Sequence, residues 1–537
     1  MNSTAFKISS SLTRATIIIA FFSLLSRLIG LLRDRVFASQ FGAGDVLDTY
    51  YAAFRVPDFL FSLLILGTLS AAFIPVFMEY LVRDRQAAHR IANTILNLTL
   101  LVMSGLAVGL AIFTPSLVSI IVPGFSEELK SQTVTLTRIM LLSPIFFSLS
   151  SVFSSILNSF KRFALVAALP IFYNLAIIFG VMVLYPRMGI SGLAWGVILG
   201  AFLHMCLQIP WVYRLGFRWR PTMDLKLPGV RKIAKLFLPR MFGIGGLNQI
   251  SFFVAAIIGS TLAVGSISVY NLANNLQIAP IGILAVAFAT AAFPTLSEAS
   301  ARGDKETFQE VFNMNFSQIL FLLIPLSALM IILRAQIVRL ILGAGQFSWE
   351  DTILTISTLA FFSISLFAQG LIPLFSRAFY ALKNTVAPVV SSLIAAGVNV
   401  IAALLLTKVF DFGVAGLALA FSIAAFVNFF LLFFWIQFKY GSFIDKQLIF
   451  KIEKIVVATI LMGTVAYLAL LAVAPFLDTH TVLGLLIQTA VSLFLAGISY
   501  LGFGYLLNIA ESRHIIVAGK LWLNKIKTAF IRFPGGV

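Results

Sequence analysis

Gly189-Ile-Ser-Gly192-Leu-Ala194 returns 224 residues later as Gly413-Val-Ala-Gly416-Leu-Ala418, with Asn174 and Asn399 preceding the two copies at nearly equal distance. A second register, offset by 220, lays Asp48-Thr-Tyr-Tyr-Ala-Ala-Phe-Arg55 on Ser268-Val-Tyr-Asn-Leu-Ala-Asn-Asn275, and Ala71-Ala72-Phe73 on Ala291-Ala292-Phe293. Outward from these anchors the chain reads as apolar runs. About 20 such residues cross roughly 30 Å of hydrocarbon. Fourteen runs qualify: 12–38, 48–79, 88–114, 131–157, 163–185, 190–214, 230–259, 265–296, 307–333, 350–380, 384–408, 412–438, 452–475 and 481–508. The repeat groups the first twelve into two sets of six. Because six is even, both sets enter the membrane from the same side, as parallel repeats about an axis along the membrane normal. The expected fold is an all-α polytopic membrane protein of about 14 transmembrane helices. Its expected parts are an N-terminal lobe over 1–215, a cytoplasmic linker loop over 216–229, a second six-helix lobe over 230–440, helices 13 and 14 within 450–508, and a basic amphipathic tail over 511–537.

Composition excludes a soluble protein. Of 537 residues, 60% are hydrophobic and 11% charged, with a mean hydropathy of +1.02; soluble domains are about 25% charged and 45–50% apolar. The 38 Lys and Arg exceed the 20 Asp and Glu by 18. This excess falls mainly in alternate loops: Arg83, Arg85 and Arg90, then Lys161 and Arg162, then Arg214 to Lys235, and on to the tail. Cytoplasmic loops retain positive charge, so both termini are expected inside. The basic excess thus faces anionic lipid, with no nucleic-acid partner implied. Residues 15–32 carry Arg27 and lack a small-residue cleavage site, so they read as a retained first span. The lone Cys206 excludes a disulfide framework and is expected only to pack. Tail residues 511–532 interleave Ile515, Leu521 and Trp522 with Lys520, Lys525 and Lys527, as a helix lying on the inner surface would.

Charges inside spans cost at least about 2.5–3.5 kcal/mol each, so they mark function by default. They concentrate in the first two spans: Arg27, Arg33, Asp34 and Arg35, then Asp48, Arg55 and Asp58. From the rise per residue, Arg27 sits roughly 17 Å and Arg55 roughly 12 Å below the outer ends of neighbouring antiparallel spans. Local pairing can neutralise part of the set, Arg55 with Asp58 at i+3 and Arg33 with Asp34, but Arg27 has no acid nearby in sequence. Arginine stays charged when dehydrated and its planar fork matches phosphate oxygens. A cavity for cations would show deep carboxylates instead. The expected cargo is therefore anionic with a lipid portion. Asn174, Asn248, Gln249, Asn271, Asn274, Asn275, Gln277 and Gln369 can line a wet cavity or bond helix to helix. His204 reads as an interhelical group, and Pro57, Pro75, Pro144, Pro280, Pro294 and Pro373 as kinks. No metalloprotease, P-loop or nucleophile-elbow motif occurs, so neither catalysis nor a metal or cofactor is expected, and any coupling ion is left unnamed.

The run Phe22-Ser-Leu-Leu-Ser26-Arg27-Leu-Ile-Gly30-Leu-Leu-Arg33-Asp34, followed by Phe41-Gly42-Ala43-Gly44 and Asp48, resembles the MurJ/MviN family of lipid II flippases within the polysaccharide-exporter/multidrug (MOP) superfamily. The likeness continues through Ala72-Phe73-Ile-Pro75, Leu157-Asn158, Asn174 and Pro294-Thr-Leu-Ser297. It implies two lobes around a cationic cavity, a lipid groove at the last two helices, and alternating-access movement of undecaprenyl-diphosphate-linked peptidoglycan precursor from the inner to the outer leaflet of the bacterial cytoplasmic membrane. Ser26, Arg27, Arg33, Asp34, Asp48, Asn174 and Ser268 match the family pattern. Arg27, Arg33 and Arg55 are the expected contacts of the diphosphate and headgroup, with Ser26, Asn174, Ser268 and Asn275 beside them and Asp34, Asp48 and Asp58 in gating or charge pairing. The chain departs from the family at Phe61 and Asn275, where many members place arginine. The alternatives are a flippase of the same fold for another polyprenyl-linked oligosaccharide, or a cation-coupled small-solute exporter dependent on Asp48.

Overall fold

The computed structural model describes residues 2–64, 68–244, 247–441, 446–479, 481–517 and 519. The secondary structure described is helical, in two compact units. One comprises Met1–Leu272 with Ile341–Leu354 and Asn399–Leu417; the other comprises Ala273–Leu340, Thr355–Val398 and Ala418–Val537.

In the first unit α1 (Asn2–Phe41) is followed by α2 (Asp45–Ala53), α3 (Arg55–Leu64), α4 (Thr68–Arg83) and α5 (Arg85–Ile121). Then come α6 (Glu127–Met140) and α7 (Leu142–Ser159), α8 (Phe163–Phe179) and α9 (Tyr185–Met188), α10 (Ser191–Cys206) and α11 (Ile209–Arg214), α12 (Pro228–Ile244), α13 (Leu247–Gly259) and the first turns of α14 (Ser266–Ile283). α1 packs along α8, α10 lies against α7 and α8, and α4 meets α5, α7 and α12. One core gathers Leu47, Tyr50, Met103, Leu136 and Val197, another Phe73, Phe77, Ile91, Val152 and Phe217.

The second unit takes up most of the rest: α15 (Ala285–Arg302), α16 (Lys305–Ile332), α17 (Arg334–Ile341), α18 (Trp349–Ile364), α19 (Leu366–Ala381), α20 (Val386–Leu404), α21 (Gly413–Tyr440), α22 (Lys446–Val473) and α23 (Val482–Leu506). The α22–α23 hairpin packs on α16, where Tyr500 Oη donates to the Phe321 carbonyl at 2.7 Å. Its other face exposes Leu461, Leu468, Leu493, Phe494 and Ile498, a surface only hydrocarbon solvates well. Gln277 and Gln369 exchange amide hydrogen bonds of 3.0 and 3.3 Å between α14 and α19, so this polar pair bonds helix to helix.

Among the described residues ten helical runs are long and apolar enough to cross a membrane, and α18 with α19, bent by 43°, make an eleventh if taken as one span. The remaining expected spans, 12–38, 48–79 and 230–259, fall on α1, on α2 to α4 and on α12 to α13. α1 holds Arg27, Arg33, Asp34 and Arg35, and the other two are interrupted. The chain is thus an all-α polytopic membrane protein. Of the expected amphipathic tail, residues 511–517 are helical, and most of the remainder lies outside the described residues.

Two of the expected proline kinks are instead helix starts. Pro57 lies in the first turn of α3 and Pro144 in the first turn of α7, where a missing N–H costs least. Each still deprives the carbonyl four residues back. A hydroxyl replaces the lost donor: Thr137 Oγ1 donates to the Ala53 carbonyl at 3.3 Å, and Ser143 Oγ to that of Met140 at 2.8 Å. Pro75, Pro280, Pro294 and Pro373 lie inside their helices. His204 shares a 2.6 Å hydrogen bond with Ser150 Oγ, joining α10 to α7 as expected.

The repeat is visible in backbone detail. A π-helical turn, Gly180–Leu184, precedes Gly189, and another, Leu405–Val409, precedes Gly413; both glycines have φ near +60°. In the first copy α10 comes so near α8 that a Cβ on Gly196 would lie 2.7 Å from Gly180 Cα. Gly196→Ala is therefore expected to cost about 1–3 kcal/mol and to lower the thermal unfolding midpoint in detergent by about 2 °C or more. Gly109→Ala, whose Cβ meets open space, should leave the midpoint unchanged or slightly raised. Equal midpoints for the two variants would refute the close approach.

Candidate functional site

Residues 18 onward of α1 present Ile18, Phe21, Leu24, Leu28 and Leu32 outward, so the polar residues among them lie on the remaining face. On that face Gly30 brings the backbone within reach of α8, its absent Cβ facing Asn174 Nδ2 at 3.9 Å. One turn further Arg33 spreads its fork. Nε and Nη2 donate to Asp34 Oδ1 at 3.0 and 2.8 Å, and Nη1 donates to Asn174 Oδ1 at 3.1 Å. Asn174 is oriented in turn by its own bond to the Pro170 carbonyl, 3.0 Å. The local ion pair expected for Arg33 therefore forms, and Asp34 is buried at 2% exposure. Ser26 and Arg27 are half-buried on α1, with Arg27 six residues before Arg33.

Arg55 behaves differently from the local pairing considered for it. It opens α3, and side chains lean toward the N-terminus of their helix, so its fork reaches back past the helix start while Asp58 acts on it only through its field. Among the described residues no ion pair joins the two. Instead Nη2 donates to Asn271 Oδ1 at 2.6 Å and the guanidinium lies 5.1 Å from the centroid of the Phe252 ring. The side chain is buried, and Nε has no hydrogen-bond partner among the described residues; Thr49 Oγ1 and Tyr51 Oη on α2 are likewise buried and without a hydrogen bond there. Buried polar atoms are rarely left so. This group carries spare donor capacity, and its charge is met by the Asn271 amide oxygen, the Phe252 ring face and, without a direct ion pair, the field of the Asp58 carboxylate.

Asp48 sits 3% exposed in the first turn of α2, yet its carboxylate serves another helix. Oδ2 accepts from the Gly265 amide at 2.8 Å, and Oδ1 accepts from the Ser268 amide at 2.7 Å and the Ser268 hydroxyl at 2.5 Å. The amides at the start of α14 have no intrahelical acceptor and carry its positive dipole end. A carboxylate placed there caps the helix from outside. Asp48 and Ser268 are counterparts in the 220-residue register, so the two repeats touch through equivalent positions.

The turn after α1 closes on the same cluster. The Ala43 amide donates to Asp351 Oδ2 at 3.2 Å, the Gln346 amide to the Ser39 carbonyl at 2.8 Å, and Arg35 Nη1 to the Ile341 carbonyl at 3.4 Å. Gly42, Gly265 and Gly345 all have positive φ, and a Cβ on any of them would strike a backbone carbonyl across the contact.

The expected residues thus form three groups in one unit: Ser26, Arg27, Arg33, Asp34 and Asn174 on α1 and α8, Arg55 with Asp58 on α3, and Asp48 with Ser268. Asn275 belongs to the other unit. Phe61, where an arginine would fit the family pattern, packs on Phe147 with ring centroids 5.3 Å apart. Sequence reasoning missed Gly265, Phe252, Tyr51 and Asp351. Of these only Asp351, an acid where a span opens, left a readable signal.

A family model described as "Lipid II flippase MurJ" matches residues 37–488. A "Probable lipid II flippase MurJ" of Buchnera aphidicola subsp. Acyrthosiphon pisum is 31% identical over 511 residues, covering 94% of this chain and 98% of that one. The "Lipid II flippase MurJ" of Burkholderia cenocepacia is 28% identical over 480 residues, 86% and 90% of the two chains. Among solved structures, "Lipid II flippase MurJ, inward closed conformation" superposes with a TM-score of 0.76 at 27% identity, over 91% of this chain and 99% of the other. A MATE family transporter of the MOP superfamily shares the fold, with a TM-score of 0.64 at 16% identity over 78% of this chain and 98% of the other. The chain, with its MOP fold, belongs to the MurJ family of lipid II flippases.

Proposed function

We propose that this chain moves lipid II, the polyprenyl-diphosphate-linked peptidoglycan precursor, from the inner to the outer leaflet of the bacterial cytoplasmic membrane by alternating access, with both termini inside. Family membership supports this reading. The observation that carries it to these residues is Arg55: a buried guanidinium held by an amide oxygen and a ring face, with Nε still unpartnered. A diphosphate would supply the missing acceptor and a negative charge in direct contact, which Asp58 does not make. Arg27 extends the cationic surface along α1, and Asn174 orients the fork of the Arg33–Asp34 pair.

With the termini inside, the α1–α2 turn and the start of α14 lie at the outer side. The Asp48 clamp and the glycine contacts around Gly42, Gly265 and Gly345 then form an outer closure that must part before cargo leaves. Movement through such a device needs no covalent step and no cofactor. An empty carrier with net positive charge would be driven inward by the membrane potential, at about 2.3 kcal/mol per charge per 100 mV.

In a conditional lipid II flippase depletion strain, wild type should restore growth and outer-leaflet lipid II, while Arg27→Ala and Arg27→Lys, expressed at equal level, should not. Rescue by the lysine variant would mean that charge alone suffices and the forked donor is dispensable. Well-expressed wild type that leaves lipid II on the inner leaflet would point to another polyprenyl-linked cargo.

Asp48→Asn keeps the shape of the clamp but removes charge-assisted bonds of about 1.5–3 kcal/mol. The outer closure should then open roughly tenfold or more often. A cysteine introduced by Ala43→Cys, in a Cys206→Ser background, should become correspondingly more reactive to an impermeant maleimide added outside. Unchanged labelling would remove Asp48 from the closure.

A further inference from the structure

Where the chain leaves α11 it does not loop free. Residues 216–224 lie as a strap along the first turns of α5. Asn93 donates to the Arg218 carbonyl at 3.1 Å and accepts from the Arg220 amide at 2.8 Å; Asn97 Nδ2 donates to the Arg220 and Thr222 carbonyls, both at 2.8 Å; Trp219 Nε1 donates to Asn97 Oδ1 at 2.9 Å. These bonds, with the Asp224 amide donating to Thr94 Oγ1 at 3.2 Å, hold the strap's backbone through neutral side chains. The arginines are left for something else. Between strap and helix is a cavity of about 420 Å³ lined by Gln86, His89, Arg90, Arg218, Arg220 and Thr222, among others, with no acidic side chain in its wall. The guanidiniums of Arg90, Arg218 and Arg220 make no hydrogen bond or ion pair among the described residues. The nearby Asp84 spends its carboxylate capping α5, on the amides of Gln86 and Ala87.

Behind the strap the surface changes character. An apolar groove of about 250 Å³ runs along Leu96, Leu100, Phe153, Phe217 and Trp219. Phe217 and Trp219 alternate with Arg218 and Arg220, so one short extended segment walls both spaces. A basic cavity and an apolar groove walled by successive residues of one strap match a molecule with a phosphate head and a hydrocarbon tail.

The repeat supplies an internal control. In the 220-residue register Asp84 and Arg85 correspond to Asp304 and Lys305, and Asp304 caps α16 as Asp84 caps α5. A cavity of about 230 Å³ lies there too, lined by Asp304, Lys305, Gln309, Lys439 and Tyr440 among others. That counterpart is smaller, mixed in charge and without arginine. The cationic cluster is a property of the first repeat, not of the fold.

We propose that the cavity between α5 and the 216–224 strap binds the phosphate of an anionic phospholipid, with one acyl chain in the adjoining groove. The orientation proposed above makes this an inner-leaflet lipid; the binding does not depend on what the protein transports. The test is retention of dioleoylphosphatidylglycerol against dioleoylphosphatidylcholine by the purified full-length protein in detergent, read by native mass spectrometry. Wild type should retain the anionic lipid preferentially, and Arg218→Ala/Arg220→Ala should retain it about tenfold less well at an unchanged unfolding midpoint. Arg218→Lys/Arg220→Lys should recover part of the loss. Leu100→Trp, which fills the groove and leaves the charge intact, should also reduce retention. If millimolar inorganic phosphate displaces the lipid fully and Leu100→Trp has no effect, the site is one for free phosphate and the lipid assignment fails. Equal retention of the anionic lipid by wild type and the double alanine variant would overturn the site altogether. Because the readout is lipid retention, either result stands apart from success or failure in lipid II movement.

Discussion

A backbone carbonyl or amide inside hydrocarbon has no water to turn to, and the organisation of this protein follows from how that demand is met wherever a span is broken. At Ala53 and Met140 a proline removes the donor and a hydroxyl replaces it. At the start of α14, where a helix begins, the carboxylate of Asp48 takes the free amides. The replacement at Met140 comes from its own chain neighbour, but those at Ala53 and at α14 come from other helices. These two breaks are therefore where separate helices are tied, and where a change in one helix is felt by the next.

The same economy explains how arginines persist in apolar surroundings. Asp34 neutralises Arg33 by direct contact, whereas Arg55 is bonded by an amide oxygen and an aromatic face, which orient a cation without cancelling it, and feels Asp58 only at a distance. A carboxylate in place of Asn271 would make a stronger pair and a poorer receptor, because its charge would have to be displaced before any anion could bind. Burial preserves the field of the guanidinium, and neutral partners preserve its sign.

Most of the architecture was legible in the amino-acid order. Hydropathy located the spans, since in a bilayer the apolar run is itself the structural unit, and the motifs around Gly189 and Gly413 located the repeat. Pro57 and Pro144 marked positions of irregularity but not its kind, because sequence does not say which hydroxyl will reach a bereft carbonyl: Thr137 is 84 residues from Ala53. The partners of the site were hidden for the same reason. Asp48 and Ser268 were already aligned by the repeat, yet an alignment relates positions and is silent on contact. The pairing of Arg55 with Asp58 suggested by helical spacing survives as an interaction of charges, while the hydrogen bond of Arg55 goes to Asn271, 216 residues away, which no spacing announces. At Phe61 the family pattern offered an arginine position that this chain fills with an aromatic contact.

The π-helical turns at Gly180–Leu184 and Leu405–Val409 bear on the origin of the molecule. A π turn accommodates one surplus residue in a helix at some cost to its hydrogen-bond ladder, so two independent insertions at the same register would be a coincidence. A single insertion, fixed in an ancestral six-span unit before it was doubled, accounts for both. That ancestor, with six spans and one such turn, would have needed a second copy of itself to complete the assembly. Fusion into one chain lets the halves diverge, as at Arg55 and its counterpart Asn275.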